Sequence, residues 1–435
     1  MFSIFLVKIF LMVTTFSQPL CFRRTHFASG ELNQTMVSVK VAERANSIEY
    51  AIRDVIDNVG EAIKNGKKIF PLNIGDPVAF DFPTPNHIKQ ALIEAIKTNK
   101  NYYSPSEGIP QLKQAIVNKE KKVNGVNIPE ENVIITSGVS EGICMLISSL
   151  LETGDELLVP GPAYPPYISY SKFWNATPIT YETIEEENWQ PNPEDIRNKI
   201  SKKTRAILLI NPNNPTGALT NEKIVKQVLD IAGEYNLIVI SDEIYDQIRY
   251  VEDFVSTSKL AKDIPVVGLN GFSKVYLMTG WRLGYVYFHD QKDELKNLKE
   301  AIEKEARIRI CVNTPVQMAG IAALNGPQNH VVEMVKKLKI RRDYSWKRLN
   351  EIEGISCAKP DGAFYVFPKI RDIGTKWKTD LDFVVELLHD TGVLLVHGSG
   401  FDPIYGAGHV RGVFLPPVKT LEKAFDRIEQ FMKKK

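Results

Sequence analysis

The chain has 435 residues, 43% hydrophobic and 24% charged, a globular composition that excludes wholesale disorder and is too long for one compact core. Its formal net charge of +2 gives no reason to expect a nucleic-acid or anionic-membrane partner, and the one notable basic run is the Lys433-Lys434-Lys435 tail. Cys21, Cys144, Cys311 and Cys357 lie far apart with no Cys-x-x-Cys pair, which argues against a metal site or disulfide framework and for a reducing, cytoplasmic compartment.

Met1 to Phe16 is nearly all apolar, broken by Lys8 and followed by Arg23-Arg24. Residues 1–35 are read as an appendage outside the fold, with Met36 as the start; a signal-like segment or anchor is the alternative. No uninterrupted apolar stretch is long enough to span a bilayer. An amphipathic helix is expected over Ser47–Lys64, then an extended piece at Ile69–Ile74. Strands are expected at Asn132–Thr136, Glu156–Val159, Ala206–Ile210, Leu237–Ser241, Val266–Leu269 and Tyr285–Phe288. Between them, helices are expected at Ser140–Leu151, Tyr164–Phe173, Asn221–Tyr235 and Asp293–Ile310. Near-continuous apolar strands separated by helices predict an α/β fold with a mostly parallel sheet covered on both faces. From about Pro315 the pattern changes to a long helical region ending at Leu349. Short strands at Phe364–Phe367, Val393–Val396 and His409–Phe414 follow, and a last helix covers Leu421–Met432. The expected organisation is an N-terminal arm joined to a small domain (36–76), a large domain (77–315) and a smaller α+β domain (316–435).

Chemistry concentrates at the ends of the strands. Ser273-Lys274 follows an apolar strand and a glycine, and Arg282 comes eight residues after the lysine. A neutral lysine amine condenses reversibly with an aldehyde, and an arginine nearby can hold a phosphate on that aldehyde. Together they point to pyridoxal 5'-phosphate. Thr136-Ser137-Gly138-Val139-Ser140, between a strand and a helix, offers backbone N–H groups as a phosphate cradle; alone it is a weak signal, since such turns before helices are usually caps. Asn211-Pro212-Asn213-Asn214-Pro215-Thr216-Gly217 forms a stiff loop able to aim the Asn214 amide. In Ser241-Asp242-Glu243-Ile244-Tyr245, Asp242 can pair with a pyridine nitrogen and Tyr245 can donate to a ring oxygen, while Glu243 points the other way and is structural. These residues should meet where open α/β sheets place ligands, beyond the strand ends.

In that order, Asn214, Asp242, Lys274 and Arg282 resemble the class I/II aminotransferases, pyridoxal-phosphate enzymes of fold type I, over nearly all of Met36 to Lys435. The likeness is especially close to archaeal-type alanine aminotransferases. It runs through Leu72-Asn73-Ile74-Gly75-Asp76-Pro77, Pro160-Gly161-Pro162-Ala163-Tyr164, Asn270-Gly271-Phe272-Ser273-Lys274 and Val396-His397-Gly398-Ser399-Gly400-Phe401. The resemblance implies a seven-stranded, mostly parallel sheet with a smaller α+β domain. It makes Lys274 the catalytic, cofactor-linking lysine, with Val139, Ser140, Ser273 and Arg282 at the phosphate. Tyr164 would stack on the ring, Asn214 and Tyr245 would touch its oxygen, and Asp242 its nitrogen. Gly75, Asn214 and Arg411 would bind substrate, Arg411 through the α-carboxylate. Tyr103 would reach the neighbouring subunit's phosphate, implying a homodimer with shared sites. By themselves, Tyr164 reads as a core tyrosine and Arg411 as a strand surface charge. Gly271 departs from the many relatives that carry a phosphate-binding serine there. The implied activity is ping-pong transfer of an amino group from an L-amino acid, foremost L-alanine, to 2-oxoglutarate. Aspartate or aromatic donors, or lyase chemistry on the same fold, are the alternatives. Arg309 is a candidate cation for a distal carboxylate, against the simpler reading of a helix arginine in a salt bridge. A transcription regulator built on this fold would need a basic DNA-binding module before it, and the segment there is short and apolar.

Overall fold

The computed structural model describes residues 39–48 and 55–434. The appendage expected over 1–35 lies outside them, as do residues 49–54 of the helix expected over Ser47–Lys64. The described end of that helix is helical at Ile56–Asn58 and Val59–Lys64. The chain divides after Ala42, and the unit from Glu43 onward carries the architecture below.

Its strands in chain order are β1 (Phe70–Pro71), β2 (Val133–Thr136), β3 (Glu156–Gly161), β4 (Thr177–Ile184), β5 (Gln190–Pro191), β6 (Thr204–Ile210), β7 (Ile238–Asp242), β8 (Val266–Gly271) and β9 (Gly284–His289). Short strands follow: β10 (Ile355–Ser356), β11 (Tyr365–Val366), β12 (Lys369–Ile370), β13 (Val393–Leu394), β14 (Val396–His397) and β15 (Val410–Val413). Eight of them form one sheet in the order β2-β9-β8-β7-β6-β3-β4-β5. All six strands expected in this region from the sequence belong to it. The sheet has eight members rather than seven because the two-residue β5 adds itself to the edge, antiparallel to β4. β4, absent from the expected strands, mixes polar and apolar residues and is only partly buried, so it lacks the continuous apolar run of its neighbours.

Alternation along the strands builds two hydrophobic layers. Leu157, Leu208, Ile240 and Val267 face one side, against Ile143, Leu146 and Ile147 of helix Val139–Leu150 and Ile302 of helix Lys296–Arg309. Leu158, Leu209, Val239 and Val266 face the other, against Val225, Val228 and Leu229 of helix Glu222–Glu234. The interiors of β3, β6, β7 and β8 are therefore buried on both faces, which is why these segments read as unbroken apolar runs.

The sheet is mostly parallel, as expected, and β9 is an exception that bears on the site. β9 is antiparallel to both β8 and β2, so its N-terminal end lies on the same sheet edge as the C-terminal ends of β2, β6, β7 and β8. Arg282 reaches the common edge from before β9, not from beyond a parallel strand.

The helical region expected to Leu349 is two helices, Thr314–Asn325 and Asn329–Asn350. Gly326-Pro327 separates them, since proline removes a backbone donor and disfavours helical geometry in the residue before it. Beyond it, β11, β15 and β14 form a small antiparallel sheet. The expected strand Val393–Val396 is divided, because Val393–Leu394 pairs with β1 while Val396–His397 pairs with β15. Helix Val418–Lys434 packs Leu421, Phe425, Ile428 and Phe431 into the core. Among the described residues, no helix is long and apolar enough to cross a membrane.

Candidate active site

Glycine backbone makes the first wall. Gly138, at the start of helix Val139–Leu150, has φ +79° and ψ 165°, a region essentially confined to glycine. It caps the helix with no side chain, so the N–H groups of the first turn face outward at the positive helix end. Arg282 packs directly on it: a Cβ at 138 would lie 2.4 Å from Arg282 Nη2. Arg282 Nη1 donates to the Thr279 carbonyl at 3.1 Å, and Thr279 Oγ1 to Asp76 Oδ1 at 2.8 Å. Backbone donors and a guanidinium thus converge as a cradle for a dianion. Gly271 has a packing reason of its own. A Cβ there would come within 3.1 Å of Gly284 Cα and Leu283 O, and one on Gly284 within 2.7 Å of Val139 N. The bare backbones of β8 and β9 let the cradle sit close, and Ser140 and Ser273 remain as its hydroxyls.

Lys274 stands in the loop after β8. Its Nζ donates to the Gly75 carbonyl at 2.7 Å and lies 5.7 Å from the centre of the Phe364 ring. Removal from water pulls its pKa down to about 8, with the Arg411 and Arg282 charges adding to the effect and Asp76 and Asp242 opposing it. About a tenth of it is therefore free base at pH 7, far more than for an ordinary lysine. Asp242 ends β7, fully buried, and accepts from Tyr167 OH at 2.9 Å and from Ile244 N at 3.2 Å. Burial lifts its carboxyl to about 6 in spite of those bonds. A cationic ring nitrogen beside it would reverse that shift.

In the loop after β6, Asn211 Oδ1 accepts from Thr220 N at 3.0 Å and Asn213 Oδ1 accepts from Thr216 N at 3.2 Å. These two asparagines hold the loop's shape and leave Asn214 at the cleft, where its Oδ1 accepts from Arg411 Nη1 at 3.0 Å. Arg411, on β15, is buried rather than a surface charge; it also donates to the Asn73 carbonyl and lies between the Tyr365 and Phe401 rings, 4.8 and 4.9 Å from their centres. Tyr245 OH is 2.7 Å from Tyr365 OH. Glu243 does point away: its carboxylate accepts from Ser241, Ser256 and the Thr257 N–H, and burial raises it to about 8.

Of the residues expected at the site, all but Tyr103 line one cavity of about 210 Å³. Tyr103 is 80% exposed and outside it. Arg309 is not there either. Its guanidinium is bonded to Glu141 Oε2 at 2.7 Å, Ile135 O and Ser106 O, so the salt-bridge reading is the one that holds. Glu141 in turn accepts from Ser137 N at 2.6 Å, which makes Arg309 a brace for the cradle turn. Tyr365 and Thr279 line the cavity and were missed. No local signature marks Tyr365, whose contacts come from the pairing of distant segments; Thr279 lies three residues before Arg282, which donates to its carbonyl.

The family model "Aminotransferase class I and II" matches residues 67–428. Alanine aminotransferase from Pyrococcus furiosus superposes with a TM-score of 0.89 at 55% identity, covering 91% of this chain and all of that one. Glutamate-pyruvate aminotransferase AlaA of Escherichia coli is 34% identical over 402 residues, 91% of this chain and 98% of the relative. Aspartate aminotransferase of Pyrococcus horikoshii is 37% identical over 393 residues, 90% and 96% respectively. With the cradle, lysine, buried acid and buried arginine gathered at one sheet edge, this chain belongs to the class I and II aminotransferases.

Proposed function

We infer that the chain is a pyridoxal-phosphate transaminase that moves the amino group of L-alanine to 2-oxoglutarate. The observation that carries this reading is one cleft lined by a lysine with a lowered pKa and a buried carboxylate, with an anion cradle and a second buried arginine also in its walls. The donor set fits the cofactor. The Gly138–Ser140 turn with Ser273 and Arg282 suits a phosphate, Asp242 a protonated ring nitrogen, Tyr164 a ring face, and Asn214 and Tyr245 a ring oxygen. Once bound, the cofactor supplies an electron sink for charge developing at the substrate α-carbon. Arg411 and Asn214 seat the α-carboxylate beside Gly75, orienting the α-proton toward Lys274. Lys274 Nζ, as free base, takes that proton and later returns it as its conjugate acid. Asp242, ionised against the ring nitrogen, keeps that nitrogen protonated.

The names of the Pyrococcus furiosus and Escherichia coli relatives support alanine as donor. So does the cavity wall: among the described residues its cations are Lys274, Arg282 and Arg411, each already assigned, which favours a small uncharged side chain. The distal carboxylate of 2-oxoglutarate has to be met from beyond that lining. We assign Tyr103 to the cleft of a second copy in a homodimer, in keeping with its exposure. We divide the chain into a large domain (77–315) and a small one (316–435), with 36–76 as arm; the pairing of β1 with β13 supports grouping the arm with the small domain. An aspartate-specific enzyme is the second reading, supported by the Pyrococcus horikoshii relative.

A steady-state screen of alanine, aspartate, tyrosine and branched-chain donors with 2-oxoglutarate should give the highest kcat/KM for alanine, with parallel double-reciprocal lines. Ammonia release without consumption of an oxo acid would replace transamination with lyase chemistry. Gly138→Ala should weaken pyridoxal-phosphate binding about tenfold or more, since the added Cβ both strains the backbone and displaces Arg282. Absorbance titration of the cofactor-free protein measures it, and unchanged affinity would remove the cradle assignment.

A further inference from the structure

Tyr365 touches three of the assigned groups at once. It stands on β11 opposite Val413 of β15, so Arg411, two residues back, is its diagonal neighbour on one face of an antiparallel pair. That register places the Arg411 guanidinium 4.8 Å from the centre of the Tyr365 ring. The Tyr365 hydroxyl lies 2.7 Å from the Tyr245 hydroxyl. The same oxygen abuts Gly75, where an added Cβ would come within 2.4 Å of it, and the Gly75 carbonyl accepts from Lys274 Nζ. Both tyrosines are buried.

We propose that Tyr365 is a positioning residue that couples the seat of the α-carboxylate to the cofactor's ring oxygen, acting through Tyr245. Each phenol carries one proton. If Tyr245 spent its proton on Tyr365, it would have none to offer the cleft. Tyr365 therefore donates to the Tyr245 oxygen, and the Tyr245 proton is directed to the ring. The underside of the same Tyr365 ring carries Arg411, so one rigid side chain sets the spacing between substrate carboxylate and ring oxygen. This rests on the pyridoxal-phosphate reading of the cleft.

The test uses the cofactor-loaded enzyme and the pH at which its visible band titrates. A weaker donor at the ring oxygen leaves more negative charge there to hold the proton shared with the lysine nitrogen. Tyr365→Phe should therefore raise the midpoint by roughly half a pH unit, about a threefold change in that equilibrium. Tyr245→Phe should raise it further, and Tyr245→Phe/Tyr365→Phe should match Tyr245→Phe alone, because the outer hydroxyl acts only through the inner one. Tyr365→Phe keeps the ring under Arg411 and should leave KM for L-alanine within about twofold, whereas Tyr365→Leu should raise it about fivefold or more. An unshifted midpoint in Tyr365→Phe, additive shifts in the double variant, or an unchanged KM in Tyr365→Leu overturns the proposal. If the leucine variant does not fold, the phenylalanine arms still decide. A wild-type protein with no pH-dependent visible band overturns the cofactor reading instead, so the two failures are distinguishable.

Discussion

Lys274→Ala is expected to reduce transamination by roughly a thousandfold or more and to abolish the lysine-dependent visible band, because the substitution removes the general base and the group that links the cofactor. The pH dependence has a definite sign. The amine's pKa in the cofactor-free protein is lowered to about 8, chiefly by burial, so its rate of condensation with added pyridoxal phosphate should rise with pH through that region as free base accumulates. Stability of the cofactor-free protein follows the same group. Between about 8 and the ordinary lysine value of 10.5 the unfolded chain binds a proton that the folded chain has lost, so folding stability rises with pH across that window. Below the window the amine is charged in both states but held out of water in the folded one. Lys274→Ala should therefore stabilise the cofactor-free protein at pH 7, on the order of 2 kcal/mol after allowing for the lysine's partial exposure. Urea titrations of both proteins at pH 7 and pH 10 measure this, and the gap should shrink at the higher pH. A destabilised alanine variant at pH 7 would show that the amine is at ease in its pocket and would remove the basis for its lowered pKa. Stability given up at a buried amine is characteristic of sites kept for chemistry.

The parts of this site written locally were legible in the sequence; the parts made by pairing were not. β2, β6, β7 and β8 are apolar on both faces, so their ends and the polar residues at or just past them could be located from the pattern alone. Asn214, Asp242, Lys274 and Ser140 are all of that kind. Arg411 is the opposite case. It lies between Val410 and Gly412 on a short strand, and its partner Asn214 is 197 residues away, so only a family likeness could assign it. Tyr365 had neither signal, since its role arises from the β11–β15 register. Strand direction was equally hidden: an antiparallel strand buried on both faces reads like a parallel one, and β9 is such a strand. Helix Asp380–Thr391 was readable but missed. Thr379 and Asp382 exchange capping hydrogen bonds, and Gly392 ends the helix at φ +78°, a start and stop that its sequence spells out.

Behind the cleft, Lys119→Met should cost about 3–5 kcal/mol of folding stability. Lys119 is buried at the end of helix Pro110–Lys119, and its Nζ lies 2.8 Å from Glu120 Oε1, 2.5 Å from Asp246 Oδ2 and 3.3 Å from Tyr285 OH. The chain continues as a π-helical turn, Glu120–Asn124, whose wider winding lets both of its end residues face the cluster. Asn124 Nδ2 donates to Glu120 Oε2 at 2.6 Å and to Asp246 at 3.0 Å, and Asn270 Nδ2 donates to Asp246 at 3.0 Å. Burial alone would lower the lysine's pKa, yet the two carboxylates outweigh it and raise it. The ammonium thus sits as a counter-charge between the two buried carboxylates. Methionine keeps the stem's bulk and removes that charge, leaving the acids with neutral donors only. The exchange should also reach the cleft, since Asp246 follows Tyr245 directly and Asn270 lies at the end of β8, just before the loop that presents Lys274. Denaturant titration checks the loss. Adding Asp246→Asn to Lys119→Met should recover part of it, with a coupling above about 1 kcal/mol. A lysine variant within about 1 kcal/mol of the parent would mean that water or relaxation already screens these carboxylates, and that the cluster does not fix the strand ends carrying Tyr245 and Lys274.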